Sequence, residues 1–200
     1  MSVAASSLIT LDQLKAYLGP GFSGNQNDAL LELLIDSVSE AFNSRVGGML
    51  AKATYTDKYI DGNGKESLIL PNYPIISVTS MYEDDVLLTE GVSADYVVDY
   101  ARGIIRRVGG VWLRGRQTIK ITYVAGYVVQ GATLGTGETA LPADLRLACS
   151  IQVAHEWKKV QGSAWGETSR TYPDGSTTRV ERGLLREVEE ILAPYRRIRI

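Results

Sequence analysis

Two hundred residues, 44% of them apolar, suffice for one elongated domain or two small ones around a real core, which excludes a disordered or fibrous chain. The formal net charge of -2 gives no global attraction to nucleic acid or anionic lipid, so any electrostatic role must be local. Cys149 is the single cysteine; it excludes an internal disulfide and fits a reducing compartment. Met1 to Leu8 carries neither a basic leader nor a continuous apolar segment, and no stretch approaches the roughly 18 apolar residues of a membrane span. The expectation is a soluble protein with no membrane partner, made inside a cell or assembled there.

Taken in chain order, residues 1 to 9 read as a loose arm. Thr10-Leu11-Asp12-Gln13 fits a capping box, in which the Thr10 hydroxyl accepts from one free amide of the first turn and Gln13 reaches back to another. Gly19-Pro20-Gly21 ends that short helix. A stronger helix is predicted over about Asp28 to Val46. On a wheel of about 100° per residue, Leu30, Leu31, Leu34, Ile35, Val38, Ala41 and Phe42 share one face, with Glu32, Asp36, Ser39, Glu40 and Asn43 opposite. Leu33 lies off the apolar stripe and is a candidate for contact with a neighbouring subunit.

Beyond Gly47-Gly48 the period changes to two. Thr54 to Ile60, Ser67 to Leu70, Ile75 to Tyr82, Tyr96 to Tyr100, Ile104 to Val108 and Gln117 to Val124 are short, rich in β-branched residues and tyrosine, and separated by turns. In the last of these Ile119, Ile121 and Tyr123 point one way and Thr118, Lys120 and Thr122 the other. Asp61-Gly62-Asn63-Gly64 reads as a hairpin turn, since Gly and Asn accept the backbone angles it requires. It lacks the further oxygen ligands and closing Glu of a calcium loop. The link Val128 to Thr139 has three glycines but no Lys-Ser or Lys-Thr to make a phosphate loop, and reads as a surface loop able to order on a partner.

The helix from Pro142 to Val160 starts cleanly, because proline near the first turn loses no needed donor. It is apolar on two sides: Leu145, Cys149, Val153, Trp157 and Val160 form one stripe, and Leu147, Ile151 and Ala154 another. Such a helix is either deep in a core or shared between a core and a neighbour, and in so short a chain sharing is favoured. Gly162 to Arg182 is polar, with the turn Tyr172-Pro173-Asp174-Gly175 between Thr/Arg-rich arms, as in a projecting hairpin or loop. A last helix near Leu184 to Ala193 is stopped by Pro194. The end, Tyr195-Arg196-Arg197-Ile198-Arg199-Ile200, alternates charge and aliphatic side chain as a short strand would.

Raw material for chemistry is scarce. His155 is the one histidine; six helical positions from Cys149, it lies about 120° away on the wheel, so the two form no nucleophile and base pair within that helix. Cys149 reads as a small core residue and His155 as part of a polar stripe with Asp144, Gln152 and Lys159. Asp84-Asp85 and Glu189-Glu190 are sequence neighbours that point different ways, not an acid and base couple. No catalytic residue, metal ligand or cofactor is expected. Arg102, Arg106, Arg107, Arg114 and Arg116 read as charges protecting a sheet edge, and no helix carries the basic run of a groove reader.

Four stretches in order carry a resemblance: Ile9 to Leu18, Asp28 to Asp36, Leu70-Pro71-Asn72-Tyr73-Pro74-Ile75-Ile76-Ser77-Val78, and Ile121-Thr122-Tyr123-Val124-Ala125-Gly126-Tyr127 before Leu141-Pro142-Ala143-Asp144-Leu145. Together the chain resembles the head-to-tail connector (adaptor) proteins of tailed bacteriophages and related gene-transfer particles, over most of Ile9 to Trp157. Residues 162 to 182 match no pattern of that family. The resemblance implies an α+β fold in which N- and C-terminal helices pack together around an inserted central antiparallel β-sheet domain, with a projecting hairpin or loop and an extended C-terminal tail. The expected divisions are residues 1–48 (arm and helices), 49–127 (β-rich domain), 128–193 (link, long helix, hairpin and last helix) and 194–200 (tail).

The resemblance further implies a structural virion protein without catalytic activity, forming a ring, commonly twelve-fold, below the portal at the head-tail junction. The ring would extend the channel for packaged double-stranded DNA without sequence-specific binding, and would provide the docking surface for a stopper or tail-terminator protein. The tail residues Tyr195, Arg196, Arg197, Ile198, Arg199 and Ile200 would dock to the portal protein. Leu33, Leu147, Ile151 and Ala154 are subunit-interface candidates, and Tyr172, Pro173, Asp174 and Gly175 candidates for a tail-side contact. Assembly would take place in the bacterial host cytoplasm. The alternatives are another neck or tail protein, a stopper or terminator, and a non-viral β-rich binding module.

Overall fold

The computed structural model describes residues 3–22, 24–129, 133–161, 169–171, 177–179 and 183–197, with 169–171 and 177–179 described by backbone alone. The chain divides into two compact units, a helical one (Met1–Val46, Val129–Gly131, Leu141–Arg196) and a β unit (Gly47–Val128, Ala132–Ala140, Arg197–Ile200). No described helix is long and apolar enough to cross a membrane.

In the helical unit, α1 (Leu11–Leu18) begins at the capping box expected from the sequence: Gln13 N donates to Thr10 Oγ1 and Thr10 N to Gln13 Oε1, both at 3.3 Å. It stops at Gly19, whose φ of 96° suits a residue without a Cβ. Helix α2 (Asp28–Val46) buries Leu31, Ile35, Val38, Phe42 and Val46, but its inner face is rotated from the apolar stripe. Ala41 is exposed and Leu30 and Leu34 are half-buried, while Glu32, Ser39 and Asn43 are buried. For Ser39 the cause is the N-terminal arm, which is not loose from residue 3 on: Ala4 N donates to Asp36 Oδ1 at 3.0 Å, the Ser7 hydroxyl donates to the same oxygen, and Leu8 N donates to Ser39 Oγ at 3.1 Å. Polar side chains on that flank satisfy arm amides that burial would otherwise leave unpaired, and Leu8 and Ile9 join the core.

Helix α3 (Ala143–Gln161) packs against α2 and against α4 (Arg186–Leu192). Of its first stripe Leu145, Cys149 and Val153 are at 0% exposure and Trp157 is buried edge-on to Phe22 at 5.8 Å, while Val160 is half-buried. Gln152 does not belong to a solvated polar stripe: it is buried, its amide nitrogen donating to Gly183 O at 3.2 Å and its Oε1 accepting from Leu185 N at 2.9 Å. It thereby satisfies the chain entering α4, whose first turn has no side-chain cap of its own. Strands β8 (Ser169–Thr171) and β9 (Thr177–Arg179) pair antiparallel, the arms of the expected hairpin; the turn residues 172–175 lie outside the described residues.

The β unit has two sheets. One, in the order β1-β7-β3-β4, contains β1 (Ala53–Gly62), β3 (Ile75–Glu83), β4 (Val86–Leu88) and β7 (Gly115–Ala125); the other, in the order β2-β6-β5, contains β2 (Ser67–Ile69), β5 (Tyr96–Asp99) and β6 (Ile104–Arg107). All named pairs are antiparallel. Strand β7 lies between β1 and β3, and its Ile119, Ile121, Tyr123 and Ala125 are all fully buried, the alternation its sequence shows. These meet Met81, Leu88, Tyr96, Ile105 and Trp112 in one core fed by both sheets.

Two sequence expectations change here. Asp61 to Gly64 is a corner between sheets rather than a hairpin, since β1 and β2 belong to different sheets; Asn63 holds it, accepting from Lys65 N at 2.8 Å and donating to Ser67 O at 2.9 Å. The described part of the link before α3 is not a free loop but is fastened to the β unit by a Val128 to Ala140 bridge and a Lys52 to Glu138 ion pair.

Burial sets the chemistry of the interior. The Cys149 thiol is pushed up to about 12, mainly by desolvation and against a hydrogen bond with Ser39, and desolvation also moves the Tyr96 hydroxyl to about 12, helped by Glu90 and Asp95. Both groups stay protonated in the folded chain above the values of 9.0 and 10.0 at which exposed groups ionise. Their stabilising contribution is therefore complete below about pH 9 and is lost as pH rises toward 12. The denaturation midpoint should fall over that interval, and native Cys149 should resist a thiol reagent at pH 8 that modifies it readily in denaturant. Trp157→Ala should lower stability by about 3 to 5 kcal/mol, measured by urea unfolding; an unchanged midpoint would contradict the packing of α3.

Candidate functional site

Among the described residues no group of three His, Cys, Asp or Glu side chains is arranged to hold a metal, and Cys149 is sealed in the core. The helix positions singled out by the sequence lie open or half-open at the surface. On α2, Leu33 is 64% exposed, beside the fully covered Leu31 and Ile35. On α3, Leu147 is 49% exposed and Ile151 and Ala154 are half-buried. Their spacing of four and three residues puts them on one face, next to but distinct from the buried Leu145, Cys149 and Val153.

The C-terminal residues separate into three kinds. Tyr195 closes a 3-10 turn (Ala193–Tyr195), and its hydroxyl donates to Asp144, 3.0 and 2.8 Å from the two carboxylate oxygens. Arg196 is exposed. Arg197 is buried in the β unit: Nη2 donates to Met49 O at 2.8 Å and to Tyr73 O at 3.1 Å, Nη1 donates to Asn72 Oδ1, and the guanidinium lies 5.4 Å from the centre of the Tyr73 ring. Ile198, Arg199 and Ile200, like Tyr172, Pro173, Asp174 and Gly175, lie outside the described residues. The expected uniform docking segment 195–200 thus contains two residues already engaged by this chain's own groups.

The basic residues also separate. Arg106 and Arg107 are adjacent on β6 and face opposite ways. Arg107 pairs with Glu83 and Asp95, both at 3.4 Å, and lies 5.6 Å from the Trp112 ring centre, so its role is to hold the fold. Arg102, Arg106, Arg114 and Arg116 are exposed.

One surface is missed by sequence reasoning. The strand β4 follows an Asp84-Asp85 turn with φ of 48° and 64°, a pair that carries no glycine to announce a hairpin. Beside it an open groove of about 610 Å³ is bordered by Val86, Val111, Trp112, Leu113 and Arg114. Val86, Val111 and Leu113 are 64, 60 and 49% exposed. The available signal was the pair of apolar triplets, Val86-Leu87-Leu88 and Val111-Trp112-Leu113, each following a turn.

None of the curated proteins compared matches the chain. Among solved structures it is similar to a chain in the "neck of empty GTA particle computed with C6 symmetry", at 19% identity and a TM-score of 0.56, covering 100% of this chain and 96% of that one. It is also similar to one in the "neck of native GTA particle computed with C12 symmetry", at 16% identity and 0.52 with the same coverage. A third, in the "virion of native gene transfer agent (GTA) particle", gives 18% identity and 0.51 over 94% and 87%. At such identities the likeness is one of fold, and it spans both units. The model of one family, described as head completion protein, matches residues 7–198. The chain belongs to the head completion protein family, and its role is that of a structural head-tail connector.

Proposed function

We propose that this chain forms a ring at the neck of a virus-like particle, below the portal, extending the DNA channel and presenting the surface on which a stopper or tail-terminator protein docks. The ring has twelve copies, DNA passes without being read, no bond is made or broken, and the protein is assembled in the host cytoplasm. The observation that carries the reading is the apolar side chains left outside the chain's own cores in a member of this family: Leu33 and Leu147 in the helical unit, and Val86, Val111 and Leu113 in the β unit. A closed ring joins unlike faces of successive copies, and exposed leucines and valines on separate elements suit such contacts. The C6 and C12 symmetries of the similar necks support a cyclic assembly. Four described helices beside the sheets favour a connector over the compact β folds expected of a stopper or terminator.

The terminal Ile198-Arg199-Ile200 is the portal-docking segment in this reading. An extended peptide added to a sheet edge gains main-chain hydrogen bonds while alternate side chains give selectivity. Copies arrayed in a ring make later contacts at high effective concentration, so a weak single contact of about 3 kcal/mol suffices.

Two tests follow. Leu147→Asp should leave the monomer's melting temperature within about 1 °C, since exposed sites alter stability little, and should abolish rings seen by mass photometry with portal-bearing capsids; full rings would remove this face from the interface. Deleting Ile198 to Ile200 should give a folded chain that no longer co-sediments with those capsids; normal attachment would sink the docking role of the terminus.

A further inference from the structure

The last described side chain occupies a built receptor. Arg197 is 8% exposed, and its guanidinium meets two main-chain carbonyls, those of Met49 and Tyr73, and the side-chain oxygen of Asn72. Asn72 is itself oriented by Tyr123, its Nδ2 donating to the Tyr123 hydroxyl at 3.3 Å, and Tyr123 is stacked on Tyr55 at 5.0 Å. Gly48 forms the wall: a Cβ there would collide with Arg197 Nη1 and stand 2.8 Å from Asn72 Oδ1. Among the described residues the partners of this buried cation are carbonyl and amide oxygens and tyrosines, Tyr55 and Tyr73 among them, and none is a carboxylate.

A buried charge without a counter-ion is a poor source of net stability, because desolvation offsets most of what its hydrogen bonds return. It is an effective way to select one position of the chain, because three converging acceptors match the planar fork of a guanidinium and not the point charge of a lysine. The contrast with exposed Arg196, one residue earlier, shows that basic character alone does not decide burial.

The geometry points to Arg197 as the positioning residue of the segment that follows it: the socket of Gly48, Met49, Asn72 and Tyr73 holds the chain at one place on the β unit, and the docking contacts are left to Ile198 to Ile200. This rests on the reading of those three residues as the portal-docking segment, and it removes Arg197 from the docking contacts. Holding the segment's root in advance lowers the ordering cost that docking must meet.

The test uses the full chain, portal-bearing capsids and ethylguanidinium as a probe. Arg197→Ala and Gly48→Ala should each weaken attachment about tenfold per copy, the scale expected when a docking segment loses preorganisation, with Arg197→Lys failing to restore it. In the parent chain the Arg197 Nη–H groups should exchange slowly, and in Gly48→Ala they should lose that protection. Ethylguanidinium should return the melting temperature of Arg197→Ala toward the parent value without restoring attachment, because the filled socket is no longer joined to the segment. Attachment at parental strength in Arg197→Ala, or attachment restored by the probe along with stability, would overturn the positioning role. Failure of the docking reading looks different: deletion of Ile198 to Ile200 would leave attachment intact while the Nη–H protection persisted.

Discussion

The constraint on which the rest depends is that one helix, α3, is apolar on two sides and fully buries only one of them. Leu145, Cys149, Val153 and Trp157 are committed to the helical unit's interior, while Leu147 stays open with Ile151 and Ala154 partly so. An exposed leucine is ordinary on its own. Here it sits on a face of further apolar residues, and α2 adds the more exposed Leu33. A chain whose interior is already well filled has no need of this surface for folding, which is why we propose it as an assembly face.

The β unit solves a different problem. Its central strand β7 is paired on both sides, and it drives alternate residues into a core shared by two sheets. Ion pairing is spent locally: Arg107 joins Glu83 to Asp95 across that unit, and Arg197 is satisfied by neutral acceptors. The rim of β4 and the loop through Leu113 are left uncovered. A filled interior, an open rim and a held Arg197 are compatible with a connector, whose work is to keep several contact surfaces in place together.

Much of this was legible in the residues because the strongest signals were local. The Thr10 to Gln13 capping box, the alternation of Ile119, Ile121 and Tyr123, and the buried stripe of α3 each follow from spacing alone. What escaped was decided by distant partners. Ser39 and Asn43 are buried on α2 though polar, Ser39 because the arm reaches it; Gln152 is buried because the start of α4 needs its amide. Asp61 to Gly64 has turn chemistry, but which sheet the next strand joins is set by Arg106 and Ile105 pairing with Ser67 and Leu68. Arg197 looked like its neighbours, and only a socket assembled from residues 48 to 73 distinguishes it. Of the site, Leu33 and Leu147 could be read as outliers from a helical stripe, whereas Val86, Val111 and Leu113 come together only through the fold.

The central claim, that the uncovered apolar faces exist to join copies into a neck ring, is tested most directly by a cryo-EM reconstruction of the particle neck carrying this chain. The account expects a closed ring of this protein beneath the portal, with Leu33 and Leu147 covered by adjoining subunits. A neck without the chain, or one in which both leucines remain open to solvent, would contradict it.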